Sequence, residues 1–513
     1  MRSSFFGLDI AVRGLYTSQR SLYITSHNIS NINTPGYSRQ VGVQKATSPM
    51  ALLDGTGMLG TGAEITAVQR IRDSYLDYKY WSENTSYGEW ETKSYMMEDL
   101  EGIFEEISGN GATKFLNDFF SSLQELLKNP ESLQAREVVR SNAISLTKYL
   151  NSTAERLQKL REDSNYAVKV VVDKINLLAS EIKNLNQQIY RLELDGNAAN
   201  DLRDQRMVLV DELSKLIDIE VNEVVTGKTA DGHEDKKFQI IVNGTYLVNH
   251  FDSYAIEYYE VSDPESIKYG MYDLRWEKSG SPIEPKGGAL KGYLDVRDGT
   301  AQGTEYKGIP YYINMLDEFA RTFARAFNEG VFKDGEKHLD GHAGGVGLDG
   351  STGIRFFSYD NKPSSEMSSL SSYENITAAN ITLSAELQGP DGIYKIAVSS
   401  ANGESGNNDN IKQLIELRHN SKIFNAGAPE DFMKSLVSSL GIDTQHAQTM
   451  HTIQEKMVHQ IENRRVSVSG VSIDEELADL VRFQHAYNAA ARVITVMDEI
   501  YYVTINRMGT MGR

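Results

Sequence analysis

Residues 8–29, LDIAVRGLYTSQRSLYITSHNI, place Leu8, Val12, Leu15, Gln19, Leu22, Ser26 and Ile29 at spacings that alternate four and three. That is the a/d seam of a heptad helix with two polar interruptions. The turn formers and proline of Asn31-Ile32-Asn33-Thr34-Pro35-Gly36 should end the helix, because a residue before proline is pushed out of the α region. A helix of about three heptads is marginal alone, so this seam needs a partner.

The far end supplies a matching pattern. Ile473, Leu477, Leu480, Gln484, Tyr487, Ala491, Ile494, Asp498, Tyr501, Ile505 and Met508 repeat the 4, 3 alternation, and Ser472 and Glu475 before them have the spacing of a capping box. Gln484 and Asp498 are polar seam positions, which fix register at a cost in stability. The first 40 residues carry four arginines against one aspartate, net +3, and residues 470–513 carry four arginines against six acids, net −2. Opposite signs favour pairing of the two ends, although exposed ion pairs contribute only tenths to about 1 kcal/mol each.

Between the ends, residues 137–195 predict a second long helix. Leu146, Leu150, Thr153, Leu157 and Leu160 keep heptad spacing, and Val171, Ile175, Leu178, Ile182, Leu185, Ile189 and Leu192 keep it again. The phase slips between the two sets, as a stutter would make it do. A shorter helix follows at about 199–216. From Ile219 the texture is β-like, with the runs 238–242, 246–248, 254–259 and 272–276 separated by turns such as Asn243-Gly244 and Asp263-Pro264. A helix returns at 309–330. Residues 331–407 are Gly/Ser-rich with short strands at 381–383 and 394–398, and helical patterns resume at 408–423 and 430–465.

The fold class expected is α+β multidomain: a discontinuous helical coiled-coil shaft from paired N- and C-terminal segments, with inserted β-rich outer domains. The divisions are 1–40 with 470–513 as the inner terminal coiled-coil domain, 41–217 with 408–469 as a helical bundle that the 309–330 helix could join, 218–302 as a β-rich outer domain, and 331–407 as a second β-containing outer insert.

The 513 residues, 40% hydrophobic and 24% charged, are ordinary globular material. A formal charge of −19 argues against nucleic acid, which needs clustered Lys and Arg, and against an anionic membrane surface. There is no cysteine, so disulfides, Cys-ligated zinc, iron–sulfur clusters and thiol catalysis are excluded together. The start lacks the uninterrupted apolar core of a cleaved signal peptide, and no run of 18 apolar residues predicts membrane insertion. The expectation is a cytoplasmic protein, or one that leaves by a route that removes no signal.

Catalytic constellations are scarce. Gly55-Thr56-Gly57-Met58-Leu59-Gly60 and Gly345-Val346-Gly347-Leu348-Asp349-Gly350 match a dinucleotide motif but lack its strand–helix context, so both read as loops. His338 and His342, with Asp334, Glu336 and Asp340 nearby, sit in a Gly-rich segment without metalloprotease or EF-hand spacing. Neither cofactor nor metal nor catalytic residue is predicted.

The ends resemble a known family. Ser26-His27-Asn28-Ile29-Ser30-Asn31-Ile32-Asn33-Thr34-Pro35-Gly36-Tyr37-Ser38-Arg39-Gln40 resembles the S-x-N-[IL]-A-N-x-x-T-P-G-Y signature of bacterial flagellar rod, hook and hook-associated proteins, with Ser30 in place of the usual Ala. The Ser38-Arg39-Gln40 ending is similar to the hook-associated protein 1 (hook–filament junction) branch. So are Ser469-Gly470-Val471-Ser472-Ile473-Asp474-Glu475-Glu476 and Gln484–Ile494, and internally Asn200–Arg206 and Gly288–Asp298. Residues 331–407 carry no part of the likeness.

The resemblance implies a non-enzymatic structural protein of the bacterial flagellum, involved in motility and secreted unfolded by the flagellar type III export system. It implies self-association in a ring, contacts with the hook protein and with the second hook–filament junction protein, and a cytoplasmic export chaperone on the C-terminal helix. The assembly residues expected are Leu8, Val12, Leu15, Leu22 and Ile29 with Ile473, Leu477, Leu480, Gln484, Tyr487, Ile494, Tyr501 and Ile505, and Pro35, Gly36 and Tyr37 at the bend between layers. The alternatives are a hook or distal-rod subunit and, behind it, a secreted protein whose 331–407 insert holds an enzymatic or metal site.

Overall fold

A computed structural model describes residues 6–51, 57–104, 111–194, 196–228, 234–302, 306–333, 336–404 and 406–506. Met508 of the predicted seam, Asp334 and part of the first glycine motif lie outside them. The chain opens with helix α1 (Phe6–Ser30), strands β1 (Gln40–Ala46), β2 (Met50–Ala51), β3 (Met58–Leu59) and β4 (Ala63–Arg70), and helices α2 (Ser74–Phe104), α3 (Ala112–Lys128), α4 (Leu133–Glu193) and α5 (Asn200–Leu216). Strands β5 (Glu220–Lys228), β6 (Glu234–Val242), β7 (Thr245–Asn249) and β8 (Asp252–Ser253) form one antiparallel sheet in that order, and β9 (Ile256–Glu260) pairs with β10 (Tyr272–Trp276). Helices α6 (Gly288–Asp298) and α7 (Ile309–Glu329) follow, then β11 (Gly330–Lys333) paired with β12 (Glu336–Asp340), and β13 (Phe357–Tyr359) paired with β14 (Ile381–Leu383). The short α8 (Ala385–Gln388) and α9 (Asp409–Glu416) lead to α10 (Pro429–Ser469) and α11 (Ile473–Asn506).

The two ends of the chain pair. α1 lies antiparallel to α11, since its start lies at Met497 and Asn28 near its end touches Glu476. The β1–β4 hairpin, paired from Gln40↔Arg70 to Ala46↔Ala63 with a bulge between Val43 and Gln44, covers another face of α1. Behind this layer α10 packs along α2, and α2 also packs on α5 and α6.

The spine is α4, whose 61 residues make a rod of about 90 Å. Ser132 caps it by accepting a hydrogen bond from the Ala135 N–H. Its N-terminal half, Val139 to Leu157, lies in a core shared with α3, α7 and the region from 356 to 447. Its C-terminal half, Val168 to Ile182, lies in a second core with α5, α6 and strands of both central sheets. The buried positions Ser164, Val168 and Val172 step by four twice in succession. This is the predicted phase slip, and it turns the buried face of one continuous helix from the first core to the second.

The α+β architecture with paired terminal helices is therefore the expected one, but three local expectations need correction. Residues 41–46 and 63–70, placed in a helical bundle, pair with each other in the β1–β4 hairpin instead. The stretch 218–302 ends in a helix, α6, that packs on α2 and α4. Gly292 allows that approach, because a Cβ there would stand 2.8 Å from the Glu89 carbonyl oxygen. Arg297 then fixes α6 in place, with Nη1 donating to Asn165 Oδ1 (2.8 Å) on α4 and to the Tyr272 carbonyl (2.7 Å) on β10. Finally, 394–398 is not a strand: Pro390–Lys395 is a 3-10 turn, and Ile396, Ala397 and Val398 are buried without pairing in a sheet. A short apolar run signals burial and does not by itself choose between secondary structures.

His342 shows what burial does to this insert. The ring is fully buried, with Nδ1 2.7 Å from the Ile354 carbonyl and Nε2 accepting from the Ala397 N–H at 2.8 Å. Both nitrogens are therefore engaged, and the neutral tautomer protonated at Nδ1 satisfies both. His338, on β12, is exposed. Desolvation pushes the His342 pKa down to about 4, helped by Arg136 and opposed by the bond to Ile354. The unfolded chain takes up this proton near the ordinary histidine value and the folded chain only near 4, so stability is full above about 6.5 and is lost on acidification through that window. The loss amounts to roughly 3 kcal/mol. Denaturant midpoints measured from pH 7 to pH 4 should show this extra acid sensitivity in the native protein. The same series on His342→Gln, less stable throughout, should lack it.

Candidate functional site

Three stretches distant in sequence meet where α1 ends. Asn28 is buried on the last turn of α1, and its Oδ1 accepts from the Tyr37 hydroxyl (2.8 Å) and the Gln40 N–H (3.0 Å). Its Nδ2 donates to the Gln40 carbonyl (2.9 Å) and to Glu476 Oε2 (3.1 Å). One side-chain amide thus closes the 31–40 turn and ties it to α11. Glu476 is buried, and its other oxygen accepts from Arg39 Nε at 2.6 Å. Arg39 also reaches Glu475 (2.9 Å) and Asp479 (3.7 Å), and its N–H donates to the Ser469 carbonyl at 2.8 Å. Acids in the first turn of α11 also complement the positive end of the helix dipole.

The other side of the same turn docks on α5. The Ser38 N–H and Oγ donate to the two oxygens of Asp204 (2.8 and 2.9 Å), and Arg70 Nη1 donates to Asp204 Oδ1 at 2.7 Å. Gln40 Nε2 donates to Asp201 Oδ1 at 2.7 Å. Arg72 forms a two-pronged pair with Asp77 (2.7 and 3.0 Å), Asp77 meets Arg465 (3.1 Å), and Arg465 meets Asp211 (2.9 Å). A chain of paired charges therefore runs from the turn along the α2–α10 layer. Burial, with Asp201, Asp204 and Glu476 nearby, raises the Tyr37 pKa far above the usual tyrosine range, so its hydroxyl remains a donor. Gly36 has φ +73, and a Cβ there would stand 2.2 Å from Val208 Cγ2 on α5, so the close approach of the turn to α5 requires glycine.

The predicted assembly residues divide into groups. Leu8, Val12, Leu15, Leu22 and Ile29 on α1 and Leu480, Tyr487, Ile494 and Tyr501 on α11 are half-buried between the paired helices. Ile473, Leu477, Gln484 and Ile505 are exposed, as are Pro35 and Gly36, while Tyr37 is half-buried. The most buried positions of α1 are small or polar: Ala11, Thr17, Ser18, Ser21, Thr25 and Asn28. They let the hairpin lie close, with Thr17 Oγ1 donating to the Ala63 carbonyl (2.9 Å) and Gln44 Nε2 to Ser21 Oγ (3.2 Å). An apolar periodicity does not report such a face. The roles of Asn28, Glu476 and Asp204 were likewise missed, although each lies inside a quoted motif. Among the described residues no three metal-ligating side chains converge, and no helix is long and apolar enough to cross a membrane.

Removing one partner of a buried ion pair costs about 3–5 kcal/mol, whereas an exposed partner is worth about 1 kcal/mol or less. Glu476→Ala should therefore loosen the turn, seen as faster amide exchange at residues 34–40, while Glu475→Ala should change it little. Equal effects of the two would contradict this account.

Comparison with known proteins agrees with this geometry. The family model for the helical domain of the flagellar hook-associated protein FlgK matches residues 97–357. Models of flagellar basal body rod proteins match 8–37 and, as the FlgEFG C-terminal model, 462–507. The chain is 31% identical to flagellar hook-associated protein 1 of Bacillus subtilis over the full length of both. It is 27% identical to that of Escherichia coli, over 97% of this chain and 99% of the relative. In fold it resembles the flagellar hook junction protein FlgK of Burkholderia pseudomallei, with TM-score 0.58 and 16% identity over 77% of this chain and all of that one. The chain belongs to the flagellar hook-associated protein 1 family, structural proteins of the bacterial flagellum.

Proposed function

We propose that the chain forms the ring that joins the flagellar hook to the filament, with α1 and α11 in the innermost layer. The carrying observation is that α11, 34 residues long, packs on α1 along one side and leaves large apolar residues such as Leu477, Val496 and Ile500 in the open. A helix of that kind is completed by neighbours. The neighbours proposed are further copies in the ring, the hook protein and the second junction protein. Before export, a cytoplasmic chaperone would cover the C-terminal helix. The absence of cysteine and terminal helices that are weak alone suit passage as an unfolded thread. The four layers inferred from sequence serve as the domain division, except that the β1–β4 hairpin joins the terminal layer and α6 joins the helical layer. No enzymatic role is proposed, because family members are structural and the ring nitrogens of His342 are both occupied by the backbone.

Deleting 6–30 or 473–506 should leave a folded, soluble body and cells with bare hooks. Filament growth on the truncated protein would overturn the proposal. Labelled protein should mark a single spot at the hook tip; label along the whole hook would make the chain a hook subunit.

A further inference from the structure

Arg206, in the second turn of α5, is only 2% exposed, yet its hydrogen bonding is incomplete. The guanidinium lies over the Phe238 ring of β6, 3.7 Å from the centroid. Nη1 donates to Asn186 Oδ1 at 2.9 Å, and Nη2 has a long contact, 3.4 Å, with Glu223 Oε1. Nε is buried and has no acceptor among the described residues. A buried donor normally finds one. The side chain borders a cavity of about 40 Å³ where the end of α4 meets α5 and the four-stranded sheet. Tyr190, Glu193, Arg203, Glu223, Lys236 and His250 also line it. A space of this size admits a monatomic ion with a water beside it and excludes a nucleotide or a sugar. Its carboxylates are drawn to Arg203. That residue binds both oxygens of Glu193 (2.7 Å each) and lies nearer to Glu223 Oε1 (3.0 Å) than Arg206 does. Three cationic side chains, Arg203, Arg206 and Lys236, thus face two carboxylates.

We propose that this cavity binds one small monovalent anion of chloride size, which accepts a hydrogen bond from Arg206 Nε. A buried charge is costly unless it is paired and its donors are used, and the anion supplies both to Arg206. Burial holds the Arg206 pKa down at about 9 despite the nearby Glu223, which is what a guanidinium short of counter-charge shows. Glu193 and Glu223 repel an anion, but their charge is already spent on Arg203, and Lys236 adds a cation at the rim. The ion lies where α4, α5, β5 and β6 meet, so it fastens the outer sheet to the spine. The site is independent of the terminal helices and of the ring reading.

The test uses the purified full chain at neutral pH and constant ionic strength, with chloride exchanged for gluconate, which is too large for the cavity. Amide exchange at residues 220–226 and 238–242 should be at least about threefold faster in gluconate, the ratio expected where chloride stands at about twice its dissociation constant. Exchange at residues 34–40 should not change. In crystals grown with bromide, an anomalous scattering peak should appear beside Arg206 Nε. Arg206→Met should abolish the chloride effect. Lys236→Gln, an exposed change that leaves the core intact, should at least halve it and keeps the test decisive if Arg206→Met fails to fold. Equal exchange in the two salts means that water fills the cavity and overturns the proposal. A bromide peak without any effect in solution means an adventitious ion only and overturns it as well. An undiminished chloride effect in Lys236→Gln places the ion elsewhere, with the same consequence.

Discussion

The buried contact between Glu476 and the pair Asn28 and Arg39 holds the two ends of the chain together. These residues lie more than four hundred positions apart in sequence. The α1–α11 seam is short and half-exposed, so apolar burial alone gives it little independence. The polar contact sets the register of the helices instead, because a shift of one residue would leave buried donors without acceptors. The same turn binds Asp204, so the position of the terminal layer over the α2–α10 layer follows from the same few side chains. The seam supplies affinity between the helices, and the hub supplies geometry.

This division of labour explains what the sequence disclosed. The periodicity of residues 8–29 and 473–505, the long helix and the slip within it were legible, because each writes a repeating apolar pattern. The hub was visible only as matching motifs, with no sign that Asn28, Asp204 and Glu476 share a site, since polar side chains that meet across the fold leave no periodic trace. The hairpin over α1 was illegible for a related reason. Its contact face includes Thr17 and Ser21, which read as solvent-facing residues. α6 was hidden by Gly288 and Gly292, which look like turn residues and in fact admit neighbouring backbone.

The outer regions follow a different logic. The phenylalanine-rich core around Phe119, Phe323, Phe327 and Phe357 meets His342 through Phe327 and Phe356 and joins α3 and α7 to an insert with little regular structure. Side-chain hydrogen bonds to backbone, such as Arg136 to the Ile396 carbonyl and Asn328 to Phe357, do there what a sheet would do elsewhere. Such a region can vary in sequence while its anchoring residues stay, since few of its backbone pairings depend on strand register.

The sharing of α4 between two cores restricts how this protein can change length over evolutionary time. Each residue of a helix turns the next by about 100°, so losing one residue near Ser164 would swing everything beyond it around the axis and expose Val168, Val172 and Ile175 while burying their polar neighbours. Relatives can lengthen or shorten connecting loops freely. Within the spine, indels should be confined to whole heptads or to the ends, and the stutter should be inherited at a fixed distance from both cores.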